Sequence, residues 1–583
     1  MKSFKLLSGI LVLLIIQVCC LTKVQGQDYK IAERSEFKYK IAIIGNPINT
    51  DIRYDDVQLK ALKKLGFNTI QLNIAWGARP ADEPLNLEDI LYVPGIGDKA
   101  RIDKRLSDIK LHAKKAKAFG FRTLFHFGAP RIDSLYKSLG PNLIDPATEK
   151  NSISKKEVVD KYVDLLKRLK KAIPELDDIQ VYTFDQEAWV ANEFGDGPTD
   201  RGIPLYERIP GFLQTLTSTW AAVSPNGTLW WEPWELSAGE IFACIPALPT
   251  HNFGLFLHSN IAEVQLARPV DIWFKNMTRL LHERNIPVVG EVFLASANQE
   301  LEPLQRIATP RLTAEELDAM AYIESLSGVK EYYGTIPDRY DPNLEMTAIK
   351  FANPLKSNQT ALLEMAKPYG KNSEGILAAW EATAMGYSLF PWDATWRFTN
   401  LPKNQVDIQV FHKWDVAQIM GSVAPSPSWK STRRSLFMLT EDEVLDPWLI
   451  EDIELRCSAS ATKLQEAIGI FEKIDANMVS ASPYKNYIVE TIPDLKILEQ
   501  TVTAIRCYCR EANLAWLMRK CIHEGRPIPA NILTRFEDIM QIDIANQKKG
   551  YVTNENNRPT AKEMLVLFRE DPIKWATNYL VFR

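Results

Sequence analysis

The segment DVQLKALKKLGFNTIQLNIAW, residues 56–76, joins a helix-forming half to a strand-forming half. Apolar residues recur at helical spacing from Asp56 to Leu65, and Gly66 follows, as is typical of the end of a helix. The second half is a short apolar run that predicts a buried strand. Residues 106–119 before Gly120 and residues 158–173 before Pro174 repeat the helical pattern. The segment therefore predicts an alternation of helices with parallel strands.

Eight short apolar runs of the strand type occur between residues 38 and 335. They are residues 40–46, 68–76, 122–127, 179–187, 228–232, 253–258, 286–294 and 329–334, of which the last carries the weakest signal. Eight strands with helices between them predict a (β/α)8 TIM barrel, which we place at residues 27–345. A doubly wound open sheet has the same local pattern, but no GxGxxG or GxxxxGK loop follows the first strand. The sequence therefore favours the barrel.

The strand pattern fades after about residue 345. Long stretches with Ala, Leu, Glu and Lys at helical spacing follow, at residues 373–388, 452–478, 492–525 and 534–549. This pattern predicts an all-α helical C-terminal domain at residues 346–583, packed on the barrel.

The first 26 residues form a separate compositional segment. A basic start and a short apolar run at residues 10–16 precede Gly26, which is typical of a secretory signal peptide. The run is too short to cross a bilayer. We expect cleavage after Gly26 and a secreted or periplasmic protein. Lipid anchoring through Cys19 or Cys20 is the less favoured alternative, because small residues do not precede them.

Composition and charge exclude several classes of partner. The 583-residue chain has 69 basic and 73 acidic side chains, a formal charge of -4, and loss of three lysines with residues 1–26 lowers it to -7. This balance does not favour a nucleic-acid partner. With seven histidines, no HxH pair and no CxxC pair, we expect no metal and no cofactor. Cys507, Cys509 and Cys521 leave open one disulfide or buried thiols, and the oligomeric state stays open.

Carboxylates end three of the predicted strands, at the barrel end where catalytic groups of this fold lie. Asp185 and Glu187 are two residues apart at the end of the fourth predicted strand, so they share one face of it. Glu291 ends the apolar seventh strand beside Gly290, which we expect to leave room for close approach. Glycoside hydrolysis needs one carboxylic acid to protonate the leaving oxygen and one carboxylate to act as nucleophile or base.

These motifs resemble those of the large clan of barrel glycoside hydrolases that act with retention. The resemblance covers the barrel only, and it implies that Glu187 on strand four is the acid/base and that Glu291 on strand seven is the nucleophile. The sequence departs from the clan at Gln186, where an Asn usually precedes the acid/base.

A second sugar-cleaving family also resembles part of this pattern. The sequence Asp185-Gln186-Glu187 is similar to the Asp-x-Glu ending of strand four in chitinase-like N-acetylhexosaminidases, which use the acetamide of the substrate as nucleophile. That resemblance implies that Glu187 is the acid and that Asp185 orients the acetamide. Thr183 and Gln180 stand where that family has acids. A third alternative, a non-catalytic carbohydrate-binding barrel, would keep the aromatic residues but not need the acids.

Aromatic and polar residues near the strand ends predict a carbohydrate substrate, since flat sugar faces stack on aromatic rings. Trp230 and Trp231 face opposite ways on a strand, so at most one of them reaches the barrel mouth. Glu232 can bind sugar hydroxyls or replace Glu291 as the second carboxylate. The predicted substrate-binding residues are Trp76, His126, Trp189, Trp231, Glu232 and His258.

Overall fold

Eight parallel strands close into a barrel in which each strand pairs with the next along the chain and the eighth pairs with the first. The computed structural model describes residues 36–49, 51–74, 83–130, 152–182, 199–233, 236, 238–258, 270, 272–298, 301, 303–391, 447–478, 480–551 and 560–582. The strands are β1 (Tyr39–Ile43), β2 (Thr69–Gln71), β3 (Arg122–Gly128), β4 (Asp178–Tyr182), β5 (Leu229–Glu232), β6 (Phe253–His258), β7 (Val288–Val292) and β8 (Leu326–Glu331). The predicted (β/α)8 barrel is confirmed.

Within the described residues, one α-helix follows each strand and covers the outside of the barrel. The helices are α1 (Asp56–Lys64), α2 (Lys99–Ala118), α3 (Lys156–Ala172), α4 (Leu205–Val223), α5 (Ala238–Cys244), α6 (Ile272–Glu283), α7 (Pro310–Ala321) and α8 (Pro342–Ala352). Gly66 and Gly120, which follow α1 and α2, have φ of 90° and 75°, a conformation that side chains disfavour. The boundary predicted at residue 345 falls within α8, the eighth barrel helix.

The interior of the barrel has an apolar layer at its amino-terminal end. Six buried side chains from five strands fill it, and the ring of Trp230 stacks on that of Phe256 with centroids 4.8 Å apart. Gly254 leaves the space that Trp230 occupies, since a Cβ there would lie 2.4 Å from the indole ring. We call this layer the apolar floor; it consists of Tyr39, Ile41, Leu124, Trp230, Phe256 and Val289.

Seven more helices lie in the described part of the predicted all-α region. They are α9 (Asn358–Ala366), α10 (Ser373–Leu389), α11 (Pro447–Asn477), α12 (Pro483–His523), α13 (Ala530–Gln547), α14 (Ala561–Glu570) and α15 (Pro572–Phe582). A continuous apolar cluster joins α10, α11 and α12 to residues at the carboxyl ends of the strands, among them Phe293 and Tyr332. Asp494 on α12 accepts the backbone N–H of Gln305 and that of Arg306 at 2.9 Å each. The helical region is therefore packed on the carboxyl side of the barrel.

The described cysteine side chains are buried. Cys244, Cys457, Cys509 and Cys521 are buried free thiols. For Cys509 and Cys521 the alternative of buried thiols therefore applies, and not the alternative of a disulfide. Burial raises the pKa of the Cys244 thiol to about 12.

Across the described ranges no helix is long and apolar enough to cross a membrane. The predicted signal peptide, residues 1–26, lies outside them.

Candidate active site

A polar layer lies directly above the apolar floor, because strand residues two apart point to the same face. Leu124 is followed by His126, Trp230 by Glu232, Phe256 by His258 and Val289 by Glu291. All members of this layer are buried, with exposed fractions of 3% or less. We call this layer the barrel cluster; it consists of His126, Gln180, Glu232, His258, Glu291 and Lys330.

Glu291 occupies the middle of a row of charged groups on three neighbouring strands. In the parallel ladder its Cα is paired with those of His258 on β6 and Lys330 on β8. Lys330 Nζ lies 2.5 Å from Glu291 Oε1, and His258 Nε2 lies 2.7 Å from Oε2. Burial alone would raise the pKa of Glu291, but Lys330 and His258 outweigh burial and lower it to about 2. Glu291 is therefore ionised at neutral pH.

Glu232, the last residue of β5, is a second buried carboxylate next to the first. It accepts a hydrogen bond from Gln180 Nε2, and its two oxygens lie 3.5 Å from His258 Nε2 and 3.6 Å from His126 Nε2. Burial, together with the charge of Glu291, raises the pKa of Glu232 to about 7. The two carboxylates thus have pKa values that lie far apart, as is typical of acid and base groups in one enzyme site.

His258 lies between the two carboxylates. Burial alone would lower its pKa, but Glu291 and Glu232 raise it to about 9, so the imidazole is protonated at neutral pH. The ring of Tyr332 contacts His258 edge to face, with centroids 4.9 Å apart. His258 and Lys330 therefore provide two positive charges that balance the two carboxylates.

Asn73, just after β2, holds the β3 side of the cluster. Its Oδ1 accepts the backbone N–H of His126 at 3.0 Å, and its Nδ2 donates to the His126 carbonyl at 2.9 Å. The imidazole of His126 meets the ring of Tyr182, the last residue of β4, with centroids 5.1 Å apart. These contacts hold the carboxyl ends of β3 and β4 in place. The predicted segment with Asp185 and Glu187 follows β4 in the sequence.

Glu331 secures the chain that leaves β7 and β8. This buried carboxylate accepts backbone N–H groups of Leu294 at 2.6 Å, Tyr333 at 3.0 Å and Gly334 at 3.1 Å. Burial raises its pKa to about 7 despite these hydrogen bonds. Glu331 thus ties two neighbouring loops at the carboxyl end of the barrel.

The structure brings together four of the predicted site residues, namely His126, Glu232, His258 and Glu291. Of the other five predicted residues, Trp231 is described below, and Trp76, Asp185, Glu187 and Trp189 lie outside the described residues. Sequence reasoning missed Lys330 as a site residue and treated Gln180 only as a departure from the chitinase-like pattern. The sequence signal for Lys330 is a charged side chain inside the eighth predicted strand, residues 329–334, but only the strand register pairs it with Glu291.

Two predicted details do not fit the structure. Trp231 faces the helices and is fully buried in the core between strands and helices, so the substrate-binding role predicted for it does not fit its position. Its neighbour Trp230 faces the interior but lies in the apolar floor. Gly290 also faces outwards, where a Cβ would meet Met320 on α7 and Phe274 on α6 at 3.2 and 3.3 Å. Both differences follow from strand alternation, which places these residues opposite Glu232 and Glu291.

Glu232, His258 and Glu291 are also close enough to be considered as metal ligands. One potential donor atom of each lies within 4.8 Å of the others. However, Lys330 Nζ already contacts Glu291 Oε1 at 2.5 Å, so a metal bound to that oxygen would have to displace the lysine. The charges present therefore indicate an ion-paired cluster.

Comparisons with known proteins show similarity in structure only. No protein family and no curated protein matches the sequence. A GH138 enzyme targeting pectin rhamnogalacturonan II has 11% sequence identity and a TM-score of 0.57, over 96% of this chain and 86% of that chain. A point mutant of the Thermobaculum terrenum O-GlcNAc hydrolase has 12% identity and a TM-score of 0.44, over 93% and 98%.

A family 5 xyloglucanase from Paenibacillus pabuli has 13% identity and a TM-score of 0.34, over 55% of this chain and 99% of that chain. At such identities only the fold can be compared, and among these three structures the GH138 enzyme alone has a TM-score above 0.5. The predicted resemblance to barrel glycoside hydrolases is confirmed at the level of fold, and the chain shares with the GH138 enzyme a fold that extends through the barrel and the helical region.

Proposed function

We propose that this protein is a secreted glycoside hydrolase that cleaves a glycosidic bond with retention, with Glu291 as nucleophile and Glu187 as acid/base. The observation that carries the proposal is the position of the Glu291 carboxylate on β7, inside the barrel and in contact with Lys330 and His258. The fold shared with glycoside hydrolases supports it. Secretion, expected from residues 1–26, belongs to the same proposal.

A carboxylate nucleophile has to be ionised when the substrate binds. Lys330 and His258 keep the pKa of Glu291 near 2, which meets this requirement. Each carboxylate oxygen has two lone pairs, so an oxygen that accepts a hydrogen bond from one of these cations can still act as a nucleophile. In the first step, a lone pair of Glu291 forms a bond to the anomeric carbon while the bond to the leaving oxygen breaks.

The leaving oxygen needs a proton, which we assign to Glu187. This residue follows the last residue of β4, Tyr182, by five positions in the sequence. After the leaving group departs, the same residue takes a proton from water, and that water releases the sugar from Glu291. The proposal requires carboxyl groups about 5–5.5 Å apart in the working enzyme, the separation typical of retention.

The test is hydrolysis of a panel of aryl glycosides and natural glycans by the wild type, E187Q and E291Q. The panel includes fragments of rhamnogalacturonan II, which the structurally similar GH138 enzyme targets. It also includes aryl N-acetylglucosaminides, which test the alternative with an acetamide nucleophile. We expect E291Q to lose activity on every substrate. We expect E187Q to lose about 10²- to 10⁴-fold on natural glycans and less on glycosides whose phenol leaves without protonation.

A matched control removes another buried glutamate that is paired with a lysine. Glu88 is fully buried, and its Oε1 lies 2.9 Å from Lys161 Nζ, outside the barrel interior. We expect E88Q to lose stability while keeping its kinetic parameters. The product anomer, read by NMR in the first minutes, should have the configuration of the substrate.

Other results would change the assignment. Loss in E187Q but not in E291Q would favour the acetamide of the substrate as nucleophile. Loss in E232Q with an active E291Q would transfer the nucleophile to Glu232. Full activity of folded E187Q and E291Q variants would overturn the two-carboxylate mechanism, and a folded wild type that cleaves no member of the panel would count against a hydrolase.

A further inference from the structure

Lys330 is a fully buried lysine on the strand next to the proposed nucleophile. Its ammonium contacts Glu291 Oε1 at 2.5 Å and lies 4.8 Å from the centroid of the Phe256 ring. Phe256 belongs to the apolar floor and is stacked on Trp230. The lysine side chain is thus confined between an aromatic ring below and a carboxylate beside it, which restricts both the position and the charge of Glu291.

The other carboxylate oxygen is held from the opposite side. His258 Nε2 contacts Glu291 Oε2 at 2.7 Å, and Glu232 Oε1 lies 3.5 Å from the same nitrogen. The charged groups that face Glu291 in the described residues are therefore His258 from β6, Lys330 from β8 and Glu232 from β5. Since one cation holds each oxygen, rotation of the Glu291 carboxylate would break both contacts.

We propose that Lys330 is a positioning residue for the hydrolytic reaction, which holds the Glu291 carboxylate in a fixed orientation and keeps it ionised. This inference rests on the proposed function. Lys330 acts through Glu291 and is not itself assigned to a contact with the substrate. The sequence pattern that specifies it is a row of His, Glu and Lys in register on β6, β7 and β8.

The experiment compares the wild type with K330M, which removes the charge and keeps the length of the side chain. K350M is the matched control, because Lys350 is also buried and its Nζ lies 2.7 Å from Asp318 Oδ1, on helices outside the barrel. Two quantities are measured for each protein: the pH profile of kcat/KM, and the titration of the Glu291 carboxyl by ¹³C NMR of labelled glutamate, assigned by the signal missing in E291Q.

In K330M we expect the pKa of Glu291 and the acid limb of the kcat/KM profile to move together to higher pH by about one unit or more, because an opposite charge at this distance lowers a carboxyl pKa by about 1–3 units. We expect kcat to fall with little change in KM, since the proposal has Lys330 act through Glu291 and assigns it no contact with the substrate. We expect K350M to leave the profile and the Glu291 titration as in the wild type.

Several results would overturn the proposal. A folded K330M with the wild-type profile would do so, as would an equal shift in K350M. If K330M does not fold, K330Q gives the same readout, and the wild type alone is also informative, because a Glu291 that titrates near the ordinary 4.5 contradicts the hold by Lys330. A wild type that hydrolyses no glycoside would show that the proposed function itself fails, whereas an active wild type with an unshifted K330M refutes only the role of Lys330.

Discussion

The apolar floor and the barrel cluster are built on the same strands, one layer apart, and yet they have different physical roles. On four strands a step of two residues changes an apolar side chain into a titratable one, as from Phe256 to His258 or from Val289 to Glu291. Aromatic stacking and close packing hold the floor, whereas charges that balance one another hold the cluster. The comparison indicates that the rigid floor supports a layer whose stability depends on its protonation state.

The largest expected effect comes from removing the centre of the floor. W230A should lower the free energy of unfolding by about 3–5 kcal/mol, because a fully buried aromatic residue leaves a cavity that its neighbours fill only in part. The indole also loses its stacking on Phe256 and its edge contact with Tyr39 at 5.0 Å. Urea unfolding, monitored by circular dichroism, measures this loss.

The same variant tests whether the two layers are separable. Because W230A removes no charge, it should lower the free energy of unfolding by the same amount at pH 6 and at pH 9. W516A, which removes a half-buried tryptophan on α12, should lower the free energy of unfolding much less than W230A does. A loss in W230A that grows or vanishes with pH would mean that the floor and the cluster do not act independently.

The next effect is the pH dependence that His258 gives to stability. Its pKa is raised from 6.5 to about 9 in the folded state. Its contribution is therefore fully present below pH 6.5 and is lost as the pH rises through 9, on the order of 3 kcal/mol. Glu232, with its pKa raised to about 7, acts in the same direction: its contribution is fully present below about pH 4.5 and lost as the pH rises through 7. The midpoint of urea unfolding should fall between pH 6.5 and pH 9.

H258Q should remove most of this alkaline loss while keeping a hydrogen-bond donor next to Glu291. H112Q is the control, because burial lowers the pKa of His112 to about 4, so its protonation does not change in the alkaline range. A wild type whose stability is constant from pH 6.5 to pH 9, or an H258Q variant with the wild-type slope, would contradict the charge assignment of the cluster.

Much of this arrangement could be predicted from the sequence, because it depends on local patterns. Eight apolar runs separated by helical segments predicted all eight strands, and their carboxyl ends predicted His126, Glu232, His258 and Glu291 as neighbours. These predictions succeed because parallel strands bring their carboxyl ends to one side of a barrel. Four helices of the carboxyl-terminal region, α10 to α13, were also predicted, because their helical periodicity is long and strong, whereas the shorter α9, α14 and α15 were not.

The details that sequence reasoning missed depend on which face of a strand is inside. On β8, Lys330 and Glu331 are adjacent charged residues, and a period of two places one inwards and the other outwards without indicating which. The same ambiguity on β5 allowed Trp231, which packs against the helices, to be predicted as a site residue together with Glu232, which lies in the barrel cluster. Only the register between neighbouring strands, which fixes the partner of Glu291, resolves it.

The smallest expected effect is that of metal removal, although Glu232, His258 and Glu291 have the donor types and the proximity of a metal site. A divalent ion would have to displace Lys330 from Glu291 Oε1. It would also have to remove a proton from His258, whose Nε2 lies 2.7 Å from Glu291 Oε2. We therefore expect dialysis against EDTA to leave the unfolding midpoint of the wild type unchanged, and added Zn²⁺ or Mn²⁺ to cause no saturable increase.

The K330M variant tests whether ion pairing, and not a bound metal, balances the carboxylates of the barrel cluster. A metal present at a hundredfold excess over its dissociation constant stabilises a folded protein by about 2.7 kcal/mol, which unfolding experiments detect readily. If ion pairing is what keeps the cluster free of metal, such stabilisation should be absent in the wild type and should first become measurable in K330M, where Glu291 Oε1 has lost its cation. Stabilisation of the wild type itself would show that a bound metal, and not Lys330 with His258, balances the two carboxylates above the apolar floor.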